Sequence, residues 1–129
     1  MSNAFYKVPV AVNEPVKSYA PGSPERENLL NEYKRMFNTQ VDVPMYIGDQ
    51  KVFTEDKRPL SPPHDHKHIV GTSNYGSSKH VKYAIDSAMN ARNNWSQLPW
   101  EQRASIFLKA ADLLAGPFRN KLNAATMLA

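Results

Sequence analysis

The amino-acid sequence predicts a soluble, mostly helical segment of an α/β protein. Two amphipathic stretches carry this prediction: apolar residues recur at helical spacing over residues 77–95, and a second, broader apolar stripe covers residues 103–114. A β-prone stretch over residues 43–53, divided by Gly48-Asp49, adds a short hairpin. The fold class is therefore α/β, with more helix than strand.

Length and composition limit the chain to one domain or part of one. Of its 129 residues, 41% are hydrophobic and 22% charged, and no apolar run reaches the length of about 18 residues that a bilayer span needs. The net charge of +4 is spread along the chain, which is a weak signal for nucleic acid. The absence of cysteine excludes a disulfide, a thiolate metal site and a cysteine nucleophile from these residues.

The N-terminal part predicts an arm followed by a helix. Residues 1–22 contain three prolines among short apolar pieces, and we expect an extended arm that lies on another surface. Ser23-Pro24 predicts a helix start, because Ser23 can accept a hydrogen bond from an early backbone N–H and Pro24 suits the first helical position. The apolar residues that follow place this helix at about 24–38.

The remaining elements follow from turn and helix signals. We expect a hairpin at about 43–54 around Gly48, then a polar linker, a strand at about 66–72 and helices at about 78–95, 99–115 and 117–129. Ser77 or Ser78 caps the first of these helices, and Gly116-Pro117 separates the last two. The helices at 78–95 and 99–115 are expected to form a helical hairpin.

These elements have more apolar surface than they can cover among themselves. Three amphipathic helices and three short strands leave apolar faces without a partner, and the apolar pattern still runs at Ala129. We therefore expect the front of a larger protein. No secretory or transit signal is evident at the N-terminus, so we expect a cytoplasmic protein, with a processed mitochondrial-matrix protein as the alternative.

The run His64-Asp65-His66-Lys67-His68 suggests a metal site, because alternate residues of a strand point to one side and imidazoles are common ligands. The competing interpretation is a polar surface strand after a Pro-Pro turn. Lys67 stands between the candidate ligands, and cysteines or clustered carboxylates are lacking. We therefore favour the interpretation without a metal.

Aromatic residues near basic ones suggest a surface that stacks on nucleic acid, formed by Tyr83, Trp95, Trp100 and Arg103. Their helical spacing favours buried packing residues instead. Arg92 and Arg103 are expected to be solvated or ion-paired.

No acid–base pair or phosphate-binding loop emerges from the sequence. Asp112 is expected to have a structural role, since no general-base partner is evident beside it. The glycines Gly71, Gly76 and Gly116 do not have the spacing of a phosphate-binding loop.

Two blocks of sequence resemble a known family. The pattern Val81-x-x-Ala84-Ile85-x-x-Ala88-x-x-Ala91-x-x-x-Trp95-x-x-x-Pro99, followed by Arg103-x-x-Ile106-x-Leu108-x-Ala110-Ala111-Asp112-Leu113-Leu114, resembles the first two helices of the aldehyde dehydrogenase superfamily. Asn13-Glu14-Pro15-Val16, Gly22-Ser23-Pro24-Glu25-Arg26, Gly116-Pro117 and Thr126-Met127 resemble its 1-pyrroline-5-carboxylate dehydrogenase branch.

The resemblance implies the N-terminal fragment of an aldehyde dehydrogenase fold, with residues 23–129 as the first part of the NAD-binding domain. It implies a full-length, homo-oligomeric NAD-dependent enzyme that oxidises L-glutamate γ-semialdehyde to L-glutamate in proline catabolism. In that family a cysteine attacks the aldehyde, hydride passes to NAD and a glutamate activates water. Both residues are expected beyond Ala129, so no catalytic, cofactor-binding or metal residue is assigned here.

The break at Ala129 departs from the family pattern, and we expect it to mark a truncation. The partner of these residues would then be the remainder of their own chain, with no nucleic acid and no membrane. We expect the fragment alone to be structural and inactive. The alternative is a small helical module that binds a protein or nucleic acid.

Overall fold

The computed structural model describes Phe5, Lys7 and residues 9–129, so residues 1–4, 6 and 8 of the predicted arm lie outside the described residues. Residues 9–22 contain neither helix nor strand. The elements that follow are α1 (Pro24–Phe37), β1 (Val41–Val43), β2 (Met45–Ile47), β3 (Gln50–Val52), β4 (Lys57–Leu60), β5 (Gly71–Asn74), α2 (Ser78–Gln97), α3 (Trp100–Ala115) and α4 (Arg119–Leu128).

Helices α1 and α4 pack against each other. Ala124 and Leu128 of α4 are buried, and apolar residues of α1 are half-buried. Pro24 occupies the first turn of α1 as predicted, but the predicted cap by the Ser23 side chain is wrong. The backbone N–H groups of Arg26 and Glu27 donate to the Ser23 carbonyl oxygen at 3.1 Å each. The Ser23 hydroxyl oxygen is buried and has no hydrogen-bond partner within the described part of the chain.

A three-stranded sheet has the strand order β1-β5-β4, in which β5 is parallel to β1 and antiparallel to β4. Gly71 at the start of β5 is paired with Val41 on one side and with Leu60 on the other. A Cβ atom at position 71 would collide with the Val41 carbonyl oxygen. Glycine at this position therefore allows β1 to approach β5 closely.

The sequence missed two of these strands and misplaced the third. Strand β4 lies in the segment predicted to be a polar linker. Strand β1 (Val41–Val43) was not predicted, and only its last residue, Val43, lies within the range predicted for the hairpin. The predicted strand at 66–72 is wrong over 66–70, because the chain there makes successive turns, with backbone hydrogen bonds from Asp65 to Pro62 and from His68 to Asp65. Strand geometry begins only at Gly71.

Strands β2 and β3 form the predicted antiparallel hairpin around Gly48-Asp49. Gly48 has a φ of +61°, which is the left-handed region that this turn requires. Pro44 separates β1 from β2, since it has no N–H to donate to a ladder. Ile47 of β2 is buried, and this hairpin makes the contact between α2 and the strands.

Helices α2 and α3 begin and end within two residues of the predicted positions, but they do not pack along each other. The predicted helical hairpin is therefore wrong. Leu98 and Pro99 both have extended backbone, with ψ values of 133° and 143°, so the chain changes direction there without folding back. Neither helix contains a buried residue. None of the described helices combines the length and the apolar character needed to cross a membrane.

Candidate functional site

A polar cluster joins β1, β4 and β5. The Asp42 carboxylate accepts hydrogen bonds from Lys57 Nζ at 2.7 Å, Thr72 Oγ1 at 3.0 Å and Asn74 Nδ2 at 2.6 Å. The Lys57 bond, followed by those from Thr72 and Asn74, holds the pKa of Asp42 below its ordinary value. Asn74 is buried, and its Oδ1 accepts from the Thr54 N–H at 2.7 Å. Because these groups bond to one another, the cluster stabilises the sheet instead of supplying a free acid or base.

The histidines of the metal hypothesis lie against α1. His64 Nε2 is 2.7 Å from the Tyr33 hydroxyl oxygen, and the His68 ring stacks on Phe37 with 3.9 Å between ring centroids. His68 Nε2–H donates to the Phe37 carbonyl oxygen at 2.6 Å. His66 lies exposed in a turn. The strand on which the hypothesis depended is absent here, and the described residues contain no group of three or more His, Cys, Asp or Glu arranged to hold a metal ion.

The aromatic residues of the nucleic-acid hypothesis are exposed. Tyr83, Trp95 and Trp100 have 45%, 41% and 57% of their surface accessible, so the prediction that they are buried is wrong for the described residues. The reason is that α2 and α3 do not pack on each other. Arg103 is half-buried and its Nε has no hydrogen-bond partner among the described residues, while Arg92 is exposed.

Asp112 is exposed on the surface of α3. Its backbone carbonyl oxygen accepts from the Gly116 N–H at 3.0 Å, a bond that does not involve the carboxylate.

A second polar cluster, which the sequence did not reveal, holds the arm to α4. Arg119 Nε donates to the Tyr19 hydroxyl oxygen at 3.3 Å, and Arg119 Nη1 donates to Glu14 Oε2 at 3.1 Å and to the Pro15 carbonyl oxygen at 3.3 Å. Asn123 Nδ2 also donates to the Tyr19 hydroxyl, at 3.0 Å. The bond to Tyr19 and the charge of Glu14 raise the pKa of Arg119. No local sequence signal could reveal a contact between residues about a hundred positions apart.

An apolar groove of about 550 Å³ lies where α1, α4 and the sheet meet. Met36, Val41, Leu60 and Leu128 are among the residues that line it, and its lining contains no carboxylate or imidazole side chain. The groove therefore offers mainly hydrocarbon surface, and Arg35 and Lys121 are the charged side chains of its lining.

Comparison with known proteins gives consistent matches. Residues 53–128 match the sequence model of the aldehyde dehydrogenase family. The chain is 44% identical over 126 residues to delta-1-pyrroline-5-carboxylate dehydrogenase of Agaricus bisporus, covering 97% of this chain and 23% of that protein. It is 39% identical over 116 residues to the human mitochondrial delta-1-pyrroline-5-carboxylate dehydrogenase, covering 90% and 21%.

The fold of the chain also matches solved structures of 1-pyrroline-5-carboxylate dehydrogenases. The crystal structure of the delta-pyrroline-5-carboxylate dehydrogenase from Mycobacterium tuberculosis bound with NAD superposes with a TM-score of 0.94 at 41% identity, covering 98% of this chain and 24% of that one. The chain belongs to the aldehyde dehydrogenase family, as its sequence motifs predicted. It spans about a quarter of the length of the relatives it matches.

Gly71, Gly76 and Gly116 do not form a cradle for the phosphates of NAD. A dinucleotide phosphate is normally cradled by glycines that leave backbone N–H groups open. Here a Cβ atom at Gly76 would lie 2.9 Å from Met45 Sδ, and one at Gly116 would lie 2.9 Å from the Asp112 carbonyl oxygen. The space beside Gly71 is likewise filled by Val41. These glycines permit close packing of the protein with itself, and we derive no step of a reaction through the cofactor.

Proposed function

We propose that these residues form the N-terminal structural portion of an NAD-dependent dehydrogenase that oxidises L-glutamate γ-semialdehyde, the open form of 1-pyrroline-5-carboxylate, to L-glutamate. The observation that carries the proposal is the similarity to the delta-pyrroline-5-carboxylate dehydrogenase bound with NAD and cobalamin, with a TM-score of 0.95 and 40% identity over 99% of this chain. The reaction consumes the aldehyde, water and NAD⁺, and it yields the carboxylate, NADH and protons. The enzyme name of the relatives supports our proposal that this reaction belongs to proline catabolism.

The role of these residues in that enzyme is to build and cover the cofactor-binding domain. Their polar clusters are satisfied internally, and apolar side chains of α2 and α3, such as Ile85, Ile106 and Phe107, are more than half exposed. Such faces are suited to packing against a larger body. The nucleophilic cysteine, the general-base glutamate and the residues that hold NAD belong, in this proposal, to the part of the protein beyond Ala129.

The proposal extends to assembly and compartment. A homo-oligomer is proposed by analogy with the family, and sedimentation of the purified protein tests it. The cytoplasm is the proposed compartment, although several relatives, including those from mouse and Emericella nidulans, are named as mitochondrial. Fractionation of cells that express the protein distinguishes the two compartments.

The decisive experiment is an assay of the protein expressed from its complete reading frame. We expect NADH to form when L-glutamate γ-semialdehyde and NAD⁺ are both present, and no NADH when either is omitted. Residues 1–129 expressed alone are expected to form none. Failure of the complete protein to reduce NAD⁺ would overturn the proposed activity, whereas NADH formation by the 129 residues alone would overturn their structural role. Retention on nucleic acid that falls steeply with salt would support a binding module instead.

A further inference from the structure

Residues 9–22, here called the strap, are held to the rest of the molecule mainly by α4. Their shorter hydrogen bonds to the helical part run to Arg119 and Asn123, which are four positions apart on α4 and lie on one face of that helix. Arg26 of α1 adds a longer contact of 3.5 Å to the Tyr19 carbonyl oxygen. The Arg119 side chain is only 13% exposed, whereas that of Glu14 is 50% exposed. A single guanidinium therefore reaches a hydroxyl, a carboxylate and a backbone carbonyl of the strap at once.

The first part of the strap stands away from the helices. Residues 9–13 make no hydrogen bond within the described part of the chain, and Val10 and Val12 are 85% and 84% exposed. A groove of about 450 Å³ separates Val12–Glu14 from the apolar residues of α3 and α4, which include Ala111, Leu114 and Leu122. The strap crosses this groove without filling it.

The second part of the strap contains backbone features that suit a hinge. Tyr19 has a φ of +51°, a conformation that costs a side-chain-bearing residue about 1 kcal/mol and persists only where other contacts impose it. Pro21-Gly22 forms a turn in which Gly22 has a φ of +76° and nothing within 4 Å of the position of its missing Cβ. Loss of the contacts to α4 would allow Tyr19 to leave its strained backbone conformation, while helix α1 would stay unchanged.

We propose that the strap is a releasable cover, which Arg119 holds across the groove between α3 and α4 and which opens about the Pro21-Gly22 turn. Opening removes Glu14 and Tyr19 from α4 together, because the Arg119 guanidinium bonds to both, while Asn123 is a second donor to Tyr19. Leu114 and Leu122, which line the groove and are 52% and 44% exposed with the strap in place, then become more accessible. This proposal concerns a conformational equilibrium, and it stands whether or not the protein has the dehydrogenase activity proposed above.

Limited digestion with trypsin tests the proposal, because Lys17 lies between the two held residues Pro15 and Tyr19 and a protease needs a locally released segment. The protein from the complete reading frame is compared with its Arg119→Lys variant, which keeps the charge but loses the planar fork that bonds to three groups. We expect cleavage after Lys17 to be about tenfold faster in the variant, since charge-assisted hydrogen bonds are lost.

Arg26→Lys is the matched control, because the Arg26 guanidinium makes only a long, 3.5 Å contact to the Tyr19 carbonyl oxygen. Its cleavage rate after Lys17 is expected to stay within twofold of the unaltered protein. Tyr19→Phe removes only the hydroxyl and gives a second test if Arg119→Lys does not fold. Equal rates for Arg119→Lys and the unaltered protein would overturn the proposal. So would an equal acceleration after Lys82 on α2, which would indicate general unfolding.

Discussion

Asp42 is the residue whose ionisation matters most directly to the three-stranded sheet, because its carboxylate bonds to groups of β4 and β5 at the same time. The pKa of Asp42 is lowered in the folded protein, mainly by Lys57. A depressed carboxyl pKa adds stability above the pKa that Asp42 has in the unfolded chain, and that stability is lost as the pH falls through the lower pKa of the folded protein.

Replacing Asp42 by Asn tests this ionisation. We expect Asp42→Asn to lower the denaturation midpoint of the complete protein at neutral pH by about 2 °C, because the bond to Lys57 is lost while an acceptor for Thr72 and Asn74 remains. The difference should shrink at acid pH, where the native carboxyl is also neutral. Asp86→Asn, on the exposed surface of α2, is the control. A difference that persists unchanged in acid would contradict the argument.

Residue-level features were predictable from the sequence where the cause is local. Pro24 at the start of α1 and Gly48 in the hairpin turn follow from backbone geometry that a few neighbouring residues determine. The Asn74–Asp42 bond joins residues 32 positions apart, and the Arg119–Tyr19 bond joins residues 100 positions apart. Such pairs depend on the tertiary fold, so no pattern in one sequence reveals them.

At the scale of elements, the hairpin of β2 and β3 depends on two separate properties of Gly48. Its φ of +61° is strained for other residues, and a Cβ atom there would lie 2.7 Å from Ser87 Oγ on α2. The second property arises because the hairpin lies against α2. Gly22 has the first property without the second, since its surroundings are open.

Alanine substitutions at the two glycines therefore distinguish the cost of a positive φ from the cost of a steric contact with α2. We expect Gly22→Ala to cost about 1 kcal/mol of stability, from the positive φ alone. Gly48→Ala should cost more, and adding Ser87→Ala to Gly48→Ala should return the loss to the level of Gly22→Ala. Chemical denaturation of the complete protein measures all three. Equal losses for Gly22→Ala and Gly48→Ala would contradict the predicted crowding against Ser87 Oγ.

The elements that were predicted well from the sequence are those in which apolar residues recur at regular spacing over several turns. The ranges predicted for the helices agree with α1 to α4 within about two residues at each end, because apolar residues recur over many turns and prolines or glycines bound them. Strands β1 and β4 have three and four residues, and β4 contains Pro59. An edge strand tolerates a proline, but nothing in so short a stretch distinguishes it from a linker.

At the scale of the whole molecule, the dominant feature is apolar surface that these residues do not cover themselves. On α3, Ile106, Phe107 and Leu108 are 52%, 67% and 50% exposed, and α3 contains no buried residue. The sequence predicted unpartnered faces correctly, since the number of amphipathic elements could be counted. It could not predict that α2 and α3 diverge, because that depends on the backbone at Leu98-Pro99.

Ile106→Ala measures whether the remainder of the protein covers this face. In the complete protein we expect a loss of about 2–4 kcal/mol, as for other buried aliphatic side chains. In residues 1–129 alone the same substitution should change stability by less than about 0.5 kcal/mol, because the side chain is already half-exposed. Lys109→Ala, at an exposed position of the same helix, is the control. A negligible effect in both proteins would contradict the proposed packing.

The pairing of β1 with β5 brings together residues 41 and 71, and the hairpin and β4 lie between them in the chain. During synthesis on the ribosome, β1 leaves the exit tunnel while β5, which lies 30 residues later in the chain, is still inside it. Strand β1 therefore remains unpaired until β5, which ends at Asn74, has emerged. Pairing of β1 with β5 also requires closure of the loop between them, and such non-local pairing of parallel strands is intrinsically slow. We expect nascent chains arrested before β5 to require chaperone protection that slightly longer chains do not.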